Sequence, residues 1–166
     1  MPELVKKDII WWKKFLPLYN GVLMMLIEEW SKPDEIFSSD AYMTDCVGMF
    51  KEHFFQVEFP DSIVNEQLHI NALEMLTVVV QKVCLKLWGA KFKGKRNIIK
   101  CDNRVTVTVI NTEKSRNQFL QSCLCEICFV APINEFKLKA VHIAGVDNRL
   151  ADMLSRMYIV IMLNKF

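Results

Sequence analysis

The chain reads as an α/β protein in which helices flank a mixed five-stranded sheet, with a helical connector ahead of it. Three features predict this. Short β-forming runs crowd together between residues 35 and 59, a long stretch of helical period follows, and strand-like and helix-like segments then alternate to residue 156. The predicted order is βββαβααβα. A chain of 166 residues, 52% apolar and 24% charged, is long enough for one domain with its own core and too apolar for a disordered one. It divides into a connector over 1–33, a domain over 34–156 and an unassigned tail over 157–166.

Residues 3–30 are expected to be helical, with Trp11, Trp12, Phe15, Leu16 and Leu18 apolar and a break at Asn20-Gly21. Ser31-Lys32-Pro33-Asp34 makes a turn. Strands are expected over 35–40, 46–51 and 54–59; Phe54, Phe55, Val57 and Phe59 are β-formers, and Pro60-Asp61 stops the third. The period then changes. From residue 63 or 66 to about 88 apolar residues recur at helical spacing, and Gly89 ends the run. A strand over 97–101 follows a basic loop and precedes Asp102-Asn103. Helices over 104–111 and 116–131 come next, the second broken by Pro132 and Asn134. Residues 136–143 alternate as the last strand, and Gly145 leads to a helix starting at 147 or 148.

The distribution of charge says more than the net value of +2. Glu28 to Glu74 holds eleven acids and only Lys32 and Lys51 as bases. Lys82 to Arg104 holds eight bases against Asp102 alone. A basic segment beside an acidic one suits a protein that grips a polyanion and sets carboxylates against it; alone, the segment reads rather as a solvated loop of lysines that keeps the protein soluble. The six cysteines, Cys46, Cys84, Cys101, Cys123, Cys125 and Cys128, sit in apolar runs and read as buried, reduced thiols. Cys123, Cys125 and Cys128 form a C-x-C-x2-C run, but on a helix positions 123 and 125 point about 200° apart. A cysteine metal module over 101–128 is the weakest reading. No apolar run approaches the ~20 residues a membrane span needs, and no signal-peptide core is present, so a soluble intracellular protein, cytoplasmic or nuclear, is expected.

Four acids stand out by position. Asp40 ends the first predicted strand, Asp102 ends the fourth, Glu74 lies in the long helix and Asp152 in the last. Glu74 shares a face with Ile70, Thr77, Val78, Gln81, Leu85 and Trp88, which should bury against the sheet, and a carboxylate there needs a cation or a hydrogen-bond partner. Each acid also has a plain reading: Glu74 as a half-exposed residue of a helix in another phase, Asp102 or Asn103 as a helix cap, Asp40 as a turn residue, Asp152 as an ion pair with Arg149 or Arg156. Taken together, acids at the ends of neighbouring strands repel, and divalent cations relieve that repulsion.

The element order and these acids resemble the ribonuclease H fold. More specifically they resemble the ribonuclease H domain attached to reverse transcriptases of retrotransposons, above all the DIRS-like and Ty3-like kinds. The resemblance rests on Ser39-Asp40-Ala41, Ile70-Asn71-Ala72-Leu73-Glu74-Met75-Leu76, Lys100-Cys101-Asp102-Asn103 and His142-Ile143-Ala144-Gly145-Val146-Asp147-Asn148-Arg149-Leu150-Ala151-Asp152-Met153-Leu154-Ser155-Arg156. The last block is the most specific, and residues 34–156 are covered. Residues 3–31 look like the connector that precedes such a domain.

The resemblance implies that Asp40, Glu74, Asp102 and Asp152 hold two Mg²⁺ ions, with Mn²⁺ able to substitute. It implies that His142 assists proton transfer or product release. The reaction would be hydrolysis of the RNA strand of an RNA–DNA hybrid, the 2′-hydroxyl marking the strand to be cut. Lys91, Lys93, Lys95, Arg96, Asn103 and Arg104 would meet the nucleic acid, and the polymerase part of a reverse transcriptase is an implied partner. No polymerase-type Tyr-x-Asp-Asp motif occurs in the chain itself. Where the family has glycines after the first Asp, this chain has Asp45 and Val47 and keeps only Gly48; the next turn, Lys51-Glu52-His53, has none. Non-glycine residues at positive φ in those turns are expected to strain the hairpins, and Asp45 is expected close to the metal site. These departures support the alternative of an inactive remnant that keeps the fold and binds nucleic acid or a protein.

Overall fold

The computed structural model describes residues 2–19, 32–88 and 93–156, with the backbone alone for Leu4 and residues 81–88. The break expected at Asn20-Gly21, the stop at Gly89, Lys91, the tail over 157–166 and the side chains of Gln81, Leu85 and Trp88 lie outside the described residues.

Helix α1 spans Glu3–Phe15, and a single 3-10 turn, Leu16–Leu18, follows. The predicted helix over 3–30 therefore stops early: Pro17 has no N–H to continue the ladder. Its residues Trp11 and Phe15 set their rings 6.2 and 5.9 Å from that of Phe129, so this segment touches the domain through one aromatic cluster.

Strands β1 (Glu35–Ala41), β2 (Asp45–Phe50) and β3 (His53–Glu58) form the antiparallel meander. A short helix α2 (Asp61–Val64) and a separate α3 (Ile70–Trp88) replace the single predicted helix. The turn between them carries Gln67 at φ 48°, a backbone state that no continuous helix accommodates. Strand β4 (Arg96–Cys101), α4 (Arg104–Thr112), α5 (Gln118–Ile133), β5 (Lys137–His142) and α6 (Arg149–Ser155) complete the predicted order. Pro132 lies within the last turn of α5 rather than ending it, because Asn134 N–H still reaches the Val130 carbonyl at 3.1 Å.

The sheet order is β3-β2-β1-β4-β5, with β1 parallel to β4 and β4 parallel to β5. The face bearing Phe37, Ile99, Cys101, Leu138 and Ala140 is buried under α3, α4 and α5 in the main core, with Met75, Val78, Leu124 and Ile127. The other face receives α6 against β1 and β2. The edge strand β5 is tied to α4 by Asn111, whose side chain both donates to the Ala140 carbonyl and accepts its N–H, each at 2.8 Å. Asp45 and Val47 take ordinary extended backbone, so the glycine loss there costs no left-handed strain. The second turn does carry it: Lys51 stands at φ 54°, with its ammonium 2.9 Å from Glu35 and 4.9 Å above the Phe50 ring.

Candidate metal centre

Register brings the first two acids together. Ser38 of β1 stands opposite Lys100 of β4, and the same parallel register two residues on sets Asp40 opposite Asp102, on strands about 4.8 Å apart. Asp102 is free to point into this space because Asn103 caps α4, its Oδ1 accepting the N–H groups of Val105 and Thr106 at 3.0 and 3.1 Å. Asn103 also donates to Asn71 Oδ1 on α3 at 2.8 Å, which pins the start of α4 to the helix that carries Glu74. Glu74 faces the sheet as its helical phase requires and is 3% exposed.

From the other face, α6 supplies the rest. Ser155 donates its hydroxyl to Asp40 Oδ2, and Asp152, one turn back, pairs with Arg156 at 2.7 Å. The helix is anchored by Asn148, a buried residue whose Nδ2 donates to the Ser39 carbonyl at 3.0 Å. We predict that Asn148→Ala costs about 1–3 kcal/mol of stability, the range for a buried partner left unsatisfied. It also slows any reaction that needs Asp152, since α6 loses its tie to β1; denaturant melts paired with rates on the folded protein check both.

The electrostatics agree with the geometry. Burial, then the Asp40 and Asp102 charges, push the Glu74 carboxyl up to about 9 against the opposing Ala41 hydrogen bond. Burial also raises Asp40 to about 6, with the Ser155 hydroxyl resisting and Asp102 and Asp152 adding to the rise. One oxygen of Glu74, Oε2, is buried without a hydrogen-bond partner. Such mutual destabilisation of carboxylates is relieved by a multivalent cation. Carboxylate oxygens gathered in this way are donors of the kind that suit a divalent cation, and Glu74 and Asp102 are the two whose ligand atoms lie within mutual reach.

Two further groups stand at this edge. His142, the last residue of β5, is exposed, with Nε2 3.1 Å from the Asp102 carbonyl oxygen, rather than buried at a strand end. Gly145 lies in the loop that follows, and a Cβ there would lie 3.2 Å from Asp102 Oδ2, so a larger residue would press on the carboxylate and shift it by a few tenths of an ångström. Asp45 shares the α6 side of the sheet with Asp40 and is buried, its Oδ2 accepting the Thr44 hydroxyl. It lines a groove with Tyr42, Glu58, Ser155 and Arg156, beside the acidic cluster rather than within it.

The predicted nucleic-acid residues separate into two places. Asn103 and Arg104 stand next to Asp102, Arg104 exposed. Lys93 and Lys95 lie just before β4 and Arg96 opens it, six residues or more from Asp102 and so about 20 Å away along the strand. There Lys93 pairs with Glu135 at 3.2 Å, Lys95 with Glu35 at 2.7 Å and Arg96 with Asp34 at 3.1 Å. Arg96 holds the Asp34 carboxyl below its ordinary range, and hydrogen bonds from Lys95 and Lys51 outweigh the burial of Glu35 to do the same there. The structure does not bring these three cations to the acidic cluster.

Among the described residues, one group of three potential ligands lies within mutual reach, and it contains a cysteine the sequence reading left out of the site. Ligand atoms of Glu74, Cys101 and Asp102 lie within 4.8 Å of one another. The signal was adjacency: Cys101 precedes Asp102 at the end of an alternating strand. Cys123 is buried and Cys125 and Cys128 half-buried, outside any such group, and none of the five described cysteines is in a disulfide. No described helix is long and apolar enough to cross a membrane.

No family model matches the chain, and no curated protein matches it in sequence. Solved structures do match. The crystal structure of LC11-RNase H1 in complex with an RNA/DNA hybrid superposes with a TM-score of 0.58 at 16% identity, covering 72% of this chain and 91% of that one. LC11-RNase H1 isolated from compost by a metagenomic approach gives 0.56 at 17% identity, covering 74% and 93%. RNase H1 from the halophilic archaeon Halobacterium salinarum NRC-1 gives 0.51 at 11% identity, covering 72% and 90%. The fold is thus the ribonuclease H fold.

Proposed function

We propose that this chain is a divalent-cation-dependent endonuclease of the ribonuclease H type, hydrolysing the RNA strand of RNA–DNA hybrids. The observation that carries the reading is the approach of Asp40, Glu74, Asp102 and Asp152 where the central strands β1 and β4 end, close enough that, on top of burial, Asp102 and Asp152 raise Asp40 while Asp40 and Asp102 raise Glu74, with Glu74 Oε2 buried and unpartnered. A bound pair of hard cations, Mg²⁺ or Mn²⁺, would neutralise the scissile phosphate and make water nucleophilic at neutral pH. The chain's own part is to hold the donors still: the Ala41 N–H and the Asp102 strand end fix the inner edge, and Ser155 and Arg156 fix Asp40 and Asp152. The exposed His142, its Nε2 3.1 Å from the Asp102 carbonyl oxygen, would hand a proton to the leaving oxygen.

Recognition of the hybrid is shape-based, by contacts to phosphates and to the 2′-hydroxyls. Arg104, exposed at the start of α4 next to Asp102, would serve this role; Lys93, Lys95 and Arg96 would meet only a duplex that runs the length of β4. The sequence blocks around Asp40 and His142 to Arg156 support an origin in a retrotransposon reverse transcriptase, whose polymerase part would be the covalent or docked partner. The test is incubation of the protein with end-labelled RNA–DNA hybrid, duplex DNA and duplex RNA, with and without Mg²⁺ or Mn²⁺. Cation-dependent cleavage confined to the RNA of the hybrid is expected. No cleavage under any cation would sink the hydrolase and leave the inactive hybrid-binding remnant.

A further inference from the structure

The acidic edge is not built of oxygen alone. Cys101 ends β4 with its thiol fully buried on the core face, and its Sγ lies within 4.8 Å of carboxylate oxygens of both Glu74 and Asp102. Sγ accepts the Asn103 N–H at 3.2 Å, a contact that fixes the side chain rotamer toward the start of α4. Glu74 is 3% exposed, and its Oε2 has no hydrogen-bond partner. Two carboxylates and one thiol, from α3 and the end of β4, thus stand within mutual reach, and one of the carboxylates carries a buried oxygen without a partner.

Donor type decides which ion such a set prefers. Hard cations such as Mg²⁺ take oxygen ligands in near-octahedral geometry, whereas a thiolate selects softer ions. Zinc–sulfur and zinc–oxygen bonds of about 2.3 and 2.1 Å place tetrahedral ligand atoms about 3.5 Å apart, a modest contraction of the observed group.

We propose that Glu74, Cys101 and Asp102 form a mixed oxygen–sulfur site for a thiophilic divalent cation, Zn²⁺ or Cd²⁺, which displaces the hard cation and so inhibits the reaction. The inference rests on the reading of Glu74 and Asp102 as cation ligands. On binding, the Cys101 S–H bond breaks, its proton passes to buffer and a sulfur–metal bond forms with no change of oxidation state.

Cadmium is the probe, titrated into the metal-free full chain while the ultraviolet sulfur-to-cadmium charge-transfer band is recorded. One equivalent is expected to develop a band that Cys101→Ser removes, and Cys101→Ser should weaken Cd²⁺ binding by at least roughly tenfold, about 1.4 kcal/mol. Asp102→Asn should keep the band and move its midpoint to higher Cd²⁺ by a similar factor. A band of unchanged intensity and midpoint in Cys101→Ser overturns the site, since half-buried Cys125 or Cys128 would then be the ligand. An unmoved midpoint in Asp102→Asn overturns it equally, since the thiol would be acting without the carboxylates. Circular dichroism establishes that the variants fold; if the serine variant does not, Cys101→Ala carries the same two outcomes. No hybrid enters these measurements. A Cys101-dependent band in a protein that never cleaves hybrid upholds the site and refutes the hydrolase, and Mg²⁺-dependent cleavage without such a band does the reverse.

Discussion

Asp102→Asn is expected to lower hybrid cleavage by about 10³-fold or more, equivalent to roughly 4 kcal/mol of transition-state stabilisation. The change is isosteric and removes one negative charge from the strand end where β1 and β4 bring their acids together. It is a clean substitution because the helix cap belongs to the neighbouring residue. Asn103 Oδ1 takes the first free N–H groups of α4, so Asp102→Asn leaves the helix start intact, and the melting midpoint should move by no more than ~0.5 kcal/mol equivalent. Initial rates on labelled hybrid in Mg²⁺ measure the first effect and a thermal melt the second. Cleavage within tenfold of the unmodified protein would mean that the acids are not the reacting centre.

Glu74→Gln should stabilise the cation-free protein at pH 8 while abolishing its response to cation. The Glu74 carboxyl is raised from 4.5 to about 9 in the folded state, first by burial and then by Asp40 and Asp102. Between those values the folded chain holds a proton that the unfolded chain has released, so stability is whole below about 4.5 and is lost as pH rises toward 9. Asp40, raised from 3.8 to about 6, adds a slope of the same sign over its lower window. A neutral amide at position 74 removes most of this slope. The expected gain at pH 8 is about 2–3 kcal/mol, or roughly 5–10 °C in a chain of this size. Cation reverses the order: the unmodified protein gains about 2.7 kcal/mol at a cation concentration 100 times Kd, and the glutamine variant gains little. Melts across pH 5–9 with and without Mg²⁺ decide it. A glutamine variant no more stable than its parent at pH 8 would show that water solvates Glu74.

Much of this fold was legible because its strands and helices announce themselves by period. The alternation through Phe54, Phe55 and Val57 and the helical recurrence around Leu73 and Val78 are local properties, and so is the cap at Asn103. The four acids were legible as a set because strand ends and helix faces can be counted along the chain. What escaped depends on contacts between distant segments. Cys101 looked like one more buried thiol until Glu74 of α3 was brought to within ligand reach of it. Ser155 and Asn148 carry no motif chemistry of their own, yet they fix Asp40 and the β1 backbone across the opposite face. Lys95 and Arg96 read as phosphate binders only through the resemblance; Glu35 and Asp34, 60 and 62 residues earlier, were needed to see their ion pairs. The division between α2 and α3 was missed because a left-handed residue such as Gln67 leaves no trace in hydrophobic period.

The parallel seam between β1 and β4 has a consequence in time. Residues 35–38 pair with residues 97–100, so the middle of the sheet joins segments about sixty positions apart. Contacts of such separation slow folding, since a long loop must close before they reward it. On a ribosome the meander emerges first with one side of β1 bare, an open edge that pairs readily with other chains. Of the described helices α6 emerges last and brings Asp152 and Ser155, so the acid cluster is completed only after every strand of the sheet has been made.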